Sequence, residues 1–218
     1  YLSGIDLPEN LKSTADLATA LHGAEFVVSV SPAQVVGPVM EKAAPHIADD
    51  ALIVSASKGI ETTTLHRMDE VMAGVLSPAQ IAGFTVLSGP SFALEVAREI
   101  PTAVVAASDS PDAALAVQDL FQTEYFRVYT GSDVIGVELG GALKNVIALG
   151  AGVAAGLGGG LNTLAALITR GLAEMRRLGV AMGAHASTFS GLAGMGDLFL
   201  TCTGTLSRNR TVGYRLGQ

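Results

Sequence analysis

The placement of β-forming runs constrains this chain more than any other feature. FVVSV (26–30), LIVSAS (52–57), FTVLSG (84–89), TAVVAA (102–107) and FRVYTG (126–131) all fall before residue 132, and no comparable run follows. They are nearly continuous in apolar character rather than alternating, which is how strands covered on both faces read. Between them lie helix-like stretches: 14–23 with Asp16 and a closing Gly23, 32–47, 64–74, 90–100, and 110–123 with Ser110 and Pro111 as N-cap and first helical residue. The alternation predicts a doubly wound α/β sheet of Rossmann type. From Gly131 onward only helical patterns remain, in 133–156, 161–183 and the segments after STFSG. We therefore expect two parts, residues 1–131 around the sheet and residues 132–218 all helical.

A doubly wound sheet binds ligands outside the carboxyl ends of its strands. Three of those ends carry small polar residues here: Ser29-Val30-Ser31-Pro32, Ser55-Ala56-Ser57-Lys58-Gly59 and Ser88-Gly89-Pro90-Ser91. Ordinary turn chemistry accounts for any one of them. Together they form a row of hydroxyls with one cation.

Composition narrows the function. With 49% hydrophobic residues the chain can bury a core, and a net charge of −7 argues against a non-specific nucleic-acid or basic membrane-surface binder. An anionic ligand must then be held by a local cluster of donors. The single cysteine, Cys202, cannot form an internal disulfide, and no Cys/His spacing suits a metal, so no metal is expected and a reducing, cytoplasmic setting fits. The opening YLSGIDLPENLK lacks the pattern of a signal peptide.

Between Glu138 and Arg170 the only charged residue is Lys144, followed at once by Asn145. Gly140, Gly141 and Ala148 lie one turn away, so a backbone or ligand can approach closely. A lysine held there would have a depressed pKa and could give and take a proton near neutral pH. One that snorkels to the helix surface is the alternative. Gly152, Gly156 and Gly160 form overlapping GxxxG steps, yet the apolar run from Val146 to Leu161 is shorter than the roughly 20 residues a membrane span needs. A tightly packed core helix, with no stable membrane insertion, is expected.

In GLAGMGDLFLTCTGTLSRNR (191–210), Asp197 stands alone among apolar residues, and a buried carboxylate wants a cation. Lys144 is the candidate. Ser207, Arg208, Asn209 and Arg210 offer a hydroxyl, guanidinium groups and an amide together, a set that at a helix N-terminus would cradle a phosphate. A solvated helix start is the plainer account. The S-x-x-K match at Ser55–Lys58 has no accompanying KTG or SDN and is read as chance. His22, His46, His66 and His185 are scattered and read as structural or solvent-facing.

The segments SASKGIE (55–61), SGPSFALEVA (88–97), IGVELGGALKNVIALGAG (135–152), ITRGLAEMRRLG (168–179) and GLAGMGDLFLTCTGTLSRNR (191–210), taken together, resemble the bacterial type of NAD(P)-dependent glycerol-3-phosphate dehydrogenase in order and spacing. The resemblance implies NAD or NADP as cofactor, and a phosphate substrate, dihydroxyacetone phosphate or sn-glycerol 3-phosphate, with hydride moving between nicotinamide C4 and substrate C2. It implies Lys144 as the general acid/base. Lys58, Gly89, Ser91, Asp197, Ser207, Arg208 and Asn209 match its substrate-binding positions, and Lys58, Ala93 and Arg208 its cofactor-binding positions. Asn145 and Thr201 are plausible further contacts. A cytoplasmic enzyme feeding phospholipid synthesis, with a homodimer possible in the family, is the implied setting. The family's glycine-rich G-x-G-x-x-G turn is absent from these 218 residues, so the chain is expected to lack the family's first βαβ unit and its C-terminal end. The rivals are a dehydrogenase of the same build acting on a carboxylate substrate, which SRNR disfavours, and an inert assembly module.

Overall fold

The computed structural model describes Leu2 and residues 4–218. Its sheet has five strands, β1 (Phe26–Ser29), β2 (Leu52–Ser55), β3 (Thr85–Ser88), β4 (Thr102–Ala107) and β5 (Phe126–Gly131), side by side in chain order. β1, β2 and β3 are mutually parallel, with Ser29 beside Ser55, so their carboxyl ends share one edge as expected. β4 is antiparallel to β3 and parallel to β5, so the sheet is mixed rather than wholly parallel. The reason lies in residues 89–101: the one helix there, α5 (Ala93–Ala97), has five residues and cannot carry the chain back across the sheet. β4 therefore starts at the edge where β3 ends.

Helices cover both faces. On one, α1 (Leu17–Leu21), α2 (Ala33–Ala43) and α3 (Met68–Ala73) bury Val36, Met40, Met68 and Met72 against Ile53 and Val86. On the other, Val117 of α6 (Pro111–Phe121) packs with Val54, Val104 and Val128. The caps at Asp16 and Ser110 form as expected, their side chains accepting from Thr19 N and Ala113 N.

Helix bounds differ where side chains compete for the backbone. The expected helix over 64–74 starts only at Met68, because the Glu61 carboxylate accepts from Thr63 N, Thr64 N and Thr64 Oγ1 and Leu65 takes φ +62°. The short α4 (Pro78–Ile81) follows. The expected helix over 90–100 shrinks to α5, with Glu99 at φ +59° before Pro101.

After Gly131 the chain is helical: α7 (Val134–Gly156), α8 (Leu161–Ala181), a 3₁₀ turn (Ala186–Ser190), a π turn (Leu192–Gly196), α9 (Asp197–Thr203) and α10 (Arg208–Gly217). Asp133 starts α7, accepting from Gly136 N and also from His185 N and the Thr188 hydroxyl. α7 is long and apolar enough to cross a membrane by length and composition, unlike the shorter run measured from the sequence, because it also takes in Val134–Asn145. It is nonetheless the central helix of this part, with Leu139, Ala148 and Ala151 buried against Met175, Phe189 and Leu198.

Candidate active site

Lys144 lies in the middle of α7 and is buried, its side chain 10% exposed. Its Nζ donates to Asp197 Oδ1 at 2.5 Å. Asp197, the first residue of α9, is 2% exposed and follows the π turn at Leu192–Gly196. Such a wide turn is a local irregularity common at functional sites. The pair expected from two isolated charges in apolar sequence therefore forms.

The second carboxylate oxygen is also taken. Lys58, just past the carboxyl end of β2, donates from Nζ to Asp197 Oδ2 at 2.7 Å and to the Gly89 carbonyl at 3.3 Å. Sequence reasoning missed this contact, although it had placed Lys58 on the ligand edge of the sheet. One carboxylate between two ammonium groups leaves the cluster net positive in a chain of net charge −7, which is the local field an anionic ligand requires. Burial and, next, the charge of Lys58 lower the Lys144 pKa to about 8, against the opposing pull of Asp197. An ammonium poised there exchanges its proton near neutral pH.

An open cleft of about 460 Å³ meets this cluster at Lys144, within the size range of small-molecule sites. Ser91 and Ala93 form one wall, Lys144, Asn145 and Thr201 the base, and Ser207, Arg208 and Asn209 the other wall. Phe92 and Leu206 add apolar surface that sequence reasoning did not foresee. Ser207 is the N-cap of α10, its Oγ accepting from Arg210 N at 3.3 Å. The SRNR run thus stands at a helix N-terminus, with Arg208 and Asn209 exposed at the cleft. Backbone N–H groups and a guanidinium there suit an anion. Ser91 Oγ donates to Gly89 O, and Thr201 Oγ1 to the carbonyl of Asp197. All nine residues singled out by resemblance meet in this one region.

Gly89 is glycine for a reason other than ligand access. Its φ is +147°, and a Cβ would sit 2.9 Å from Val104 Cα of the neighbouring strand. The row of strand-end hydroxyls divides: Ser57 Oγ donates to Ser31 O at 2.7 Å, while Ser29, Ser55 and Ser88 are buried without a side-chain partner among the described residues. The four histidines are exposed, and no cluster of three or more metal-ligating side chains occurs among the described residues.

Comparison with known proteins agrees with this geometry. Residues 1–114 match the N-terminal part of the NAD-dependent glycerol-3-phosphate dehydrogenase family, and residues 133–218 match its C-terminal part. Over all 218 residues the chain is 60% identical to the glycerol-3-phosphate dehydrogenase [NAD(P)+] of Citrifermentans bemidjiense and 61% identical to that of Geobacter sulfurreducens. It spans 65% of the length of each relative. A crystal structure of glycerol-3-phosphate dehydrogenase from Coxiella burnetii superposes with a TM-score of 0.94 at 41% identity, covering the whole chain and 66% of the solved one. The enzyme of Dunaliella salina superposes at 0.91 and 31% identity, covering the whole chain and 37% of the solved one.

Proposed function

This chain belongs to the NAD-dependent glycerol-3-phosphate dehydrogenase family, and from that premise we propose that it carries the catalytic centre of an enzyme interconverting sn-glycerol 3-phosphate and dihydroxyacetone phosphate with NAD or NADP. The observation that carries the reading is the Lys144–Asp197–Lys58 cluster beneath a cleft whose far wall is the N-terminus of α10.

In this reading residues 1–131 form the cofactor part and residues 132–218 the catalytic part. The fit to a dinucleotide rests on the positive cluster and on the exposed Ala93 and Arg208, which face one cleft. Lys58, Ala93 and Arg208 would hold the cofactor. When bound, the nicotinamide supplies or accepts the hydride at substrate C2.

The chain's own residues do the rest. Lys58, Gly89, Ser91, Ser207, Arg208 and Asn209 bind and orient the substrate, the guanidinium and backbone N–H groups of α10 taking its phosphate. Asp197 fixes Lys144 and neutralises part of the double positive charge. In the reducing direction Lys144 Nζ gives a proton to the oxygen on C2, and in the oxidising direction it takes that proton back. Asn145 and Thr201 complete the base of the cleft. The same reading places the protein in the cytoplasm, consistent with a lone buried cysteine, makes it a homodimer, and assigns it the supply of glycerol 3-phosphate to phospholipid synthesis.

The test is dihydroxyacetone-phosphate-dependent loss of nicotinamide absorbance in the natural full-length protein, with NADH and NADPH assayed separately. We expect Lys144→Ala to lower kcat by at least about 100-fold, the usual worth of a positioned acid/base. A folded wild type inert towards dihydroxyacetone phosphate would overturn the reading.

A further inference from the structure

Outside the cluster that faces the cleft, α7 carries a second buried ionisable residue. Glu138 is 6% exposed. Its carboxylate oxygens accept from the backbone N–H of Asp69 at 3.2 and 3.3 Å, and Oε2 lies 3.9 Å from Arg67 Nε. Arg67 is held in turn by Asp69 at 2.9 Å and Glu70 at 3.3 Å. Burial, and then the nearby Asp69 carboxyl, push the Glu138 pKa well above the usual carboxylate range. So costly a group on a helix otherwise lined with small apolar residues needs a purpose.

The purpose follows from where Arg67 and Asp69 sit in the chain. They end the segment that leaves β2 through Lys58. One turn along α7 from Glu138, a Cβ on Gly141 would lie 3.4 Å from Cγ and Cδ of Lys58, so the Lys58 stem rests on the helix there. A further turn brings Lys144. The segment from Lys58 to Asp69 therefore touches α7 at both its ends, on residues 138 and 141, three positions apart on one ridge. Its middle is stiffened by Gln34, which donates to Ile60 O at 2.8 Å and accepts from Thr62 N at 3.0 Å, and by the Glu61 N to His66 O bond.

We propose that Glu138 is a positioning residue: it clamps the returning end of the Lys58 segment to α7, and so fixes the distance between the Lys58 and Lys144 ammonium groups that share Asp197. The catalytic consequence rests on the role proposed for Lys144, whereas the clamp itself does not. The titratable groups facing Lys144 are Lys58 from the sheet edge and Asp197 and Cys202 from α9, with Arg210 of α10 beyond Cys202 and Arg208 of α10 across the cleft. Of these, Lys58 alone belongs to the clamped segment. If the clamp is released, Lys58 withdraws, its lowering effect on Lys144 fades while Asp197 remains, and the Lys144 pKa rises.

The experiment reads that pKa without using activity. In the full-length protein, trace acylation with acetic anhydride across pH 6–11, with peptide mass spectrometry at Lys144, gives a midpoint for its deprotonation. We expect Glu138→Ala to move the midpoint upward by about half a pH unit or more. Glu138→Gln, whose amide oxygen can still accept from Asp69 N–H, should stay near wild type. A Glu138→Ala protein that melts at a lower temperature but keeps the wild-type midpoint would show a merely structural residue and sink the proposal. Should that variant not fold, Arg67→Gln loosens the clamp from its other side, and an unshifted midpoint there overturns the proposal equally. A shifted midpoint in a protein whose wild type cannot reduce dihydroxyacetone phosphate would defeat the proposed reaction and leave the clamp standing.

Discussion

Asp197 accepts from two ammonium groups while Lys144, the more buried of the two donors, carries a pKa of about 8. The sign of the resulting pH dependence is set by direction. In the proposed reaction, reduction would use the protonated Lys144 as donor, so kcat/KM for dihydroxyacetone phosphate should fall as pH rises through about 8. Oxidation would use the neutral amine, so kcat/KM for glycerol 3-phosphate should rise through the same window. Initial rates in both directions between pH 6 and 10 check this, and parallel limbs of the same sign would contradict it. At this scale half of the network was legible. Lone charges in apolar runs mark Lys144 and Asp197, because each must find a partner once buried. Lys58 lies 139 residues from Asp197, and nothing local to either reports their contact. Glu138 gave still less signal, since its partners are a backbone N–H of α3 and the arginine just before that helix.

The α7–α10 contact shows the same split among elements. Gly152 and Gly156 of α7 meet the backbone of α10, and Gly213 and Gly217 of α10 meet the backbone of α7. A Cβ on Gly152 would lie 2.7 Å from Tyr214 N, and one on Gly213 3.0 Å from Val153 N. The helices can come this close only if both sides lack side chains. Gly152→Ala should therefore cost about 1–3 kcal/mol in urea unfolding, as overpacking does. By displacing α10 it should also raise KM for the phosphate substrate, because Ser207, Arg208 and Asn209 ride on that helix. A variant with unchanged stability and KM would mean that α10 does not depend on this contact. The Gly152–Gly156 step of α7 was visible in an apolar run, whereas Gly213 and Gly217 sit in a polar helix where the same spacing draws no attention. The expected helix over 64–74 failed for a reason of the same scale: Glu61 draws Thr63 N and Thr64 N into a local turn, and Leu65 takes φ +62°, which a right-handed helix does not accommodate.

Across the molecule, the sheet and the helical part share a core. Val134 and Val137 of α7 and Ala193 of the π turn pack with Ile53, Met68 and Val86. The chain should therefore unfold in one cooperative transition, and Val137→Ala, at a position 2% exposed, should lower the free energy of unfolding by about 2 kcal/mol. Urea titration by far-UV circular dichroism reads both, and two separated transitions would show that the parts hold their cores independently. The sequence by itself determined the α/β-then-helical order, the shared edge of β1, β2 and β3, the helix start at SRNR, and the pairing of Lys144 with Asp197. Those features follow from periodicity, turn chemistry and the cost of an unpaired buried charge, all of which act over short stretches of chain or on single residues. Tertiary structure alone decided the antiparallel β4, the second lysine on Asp197, the reciprocal glycines of α7 and α10, and the seat of Glu138. Each depends on which distant backbone comes within a few ångströms, and that is fixed only when the whole core packs.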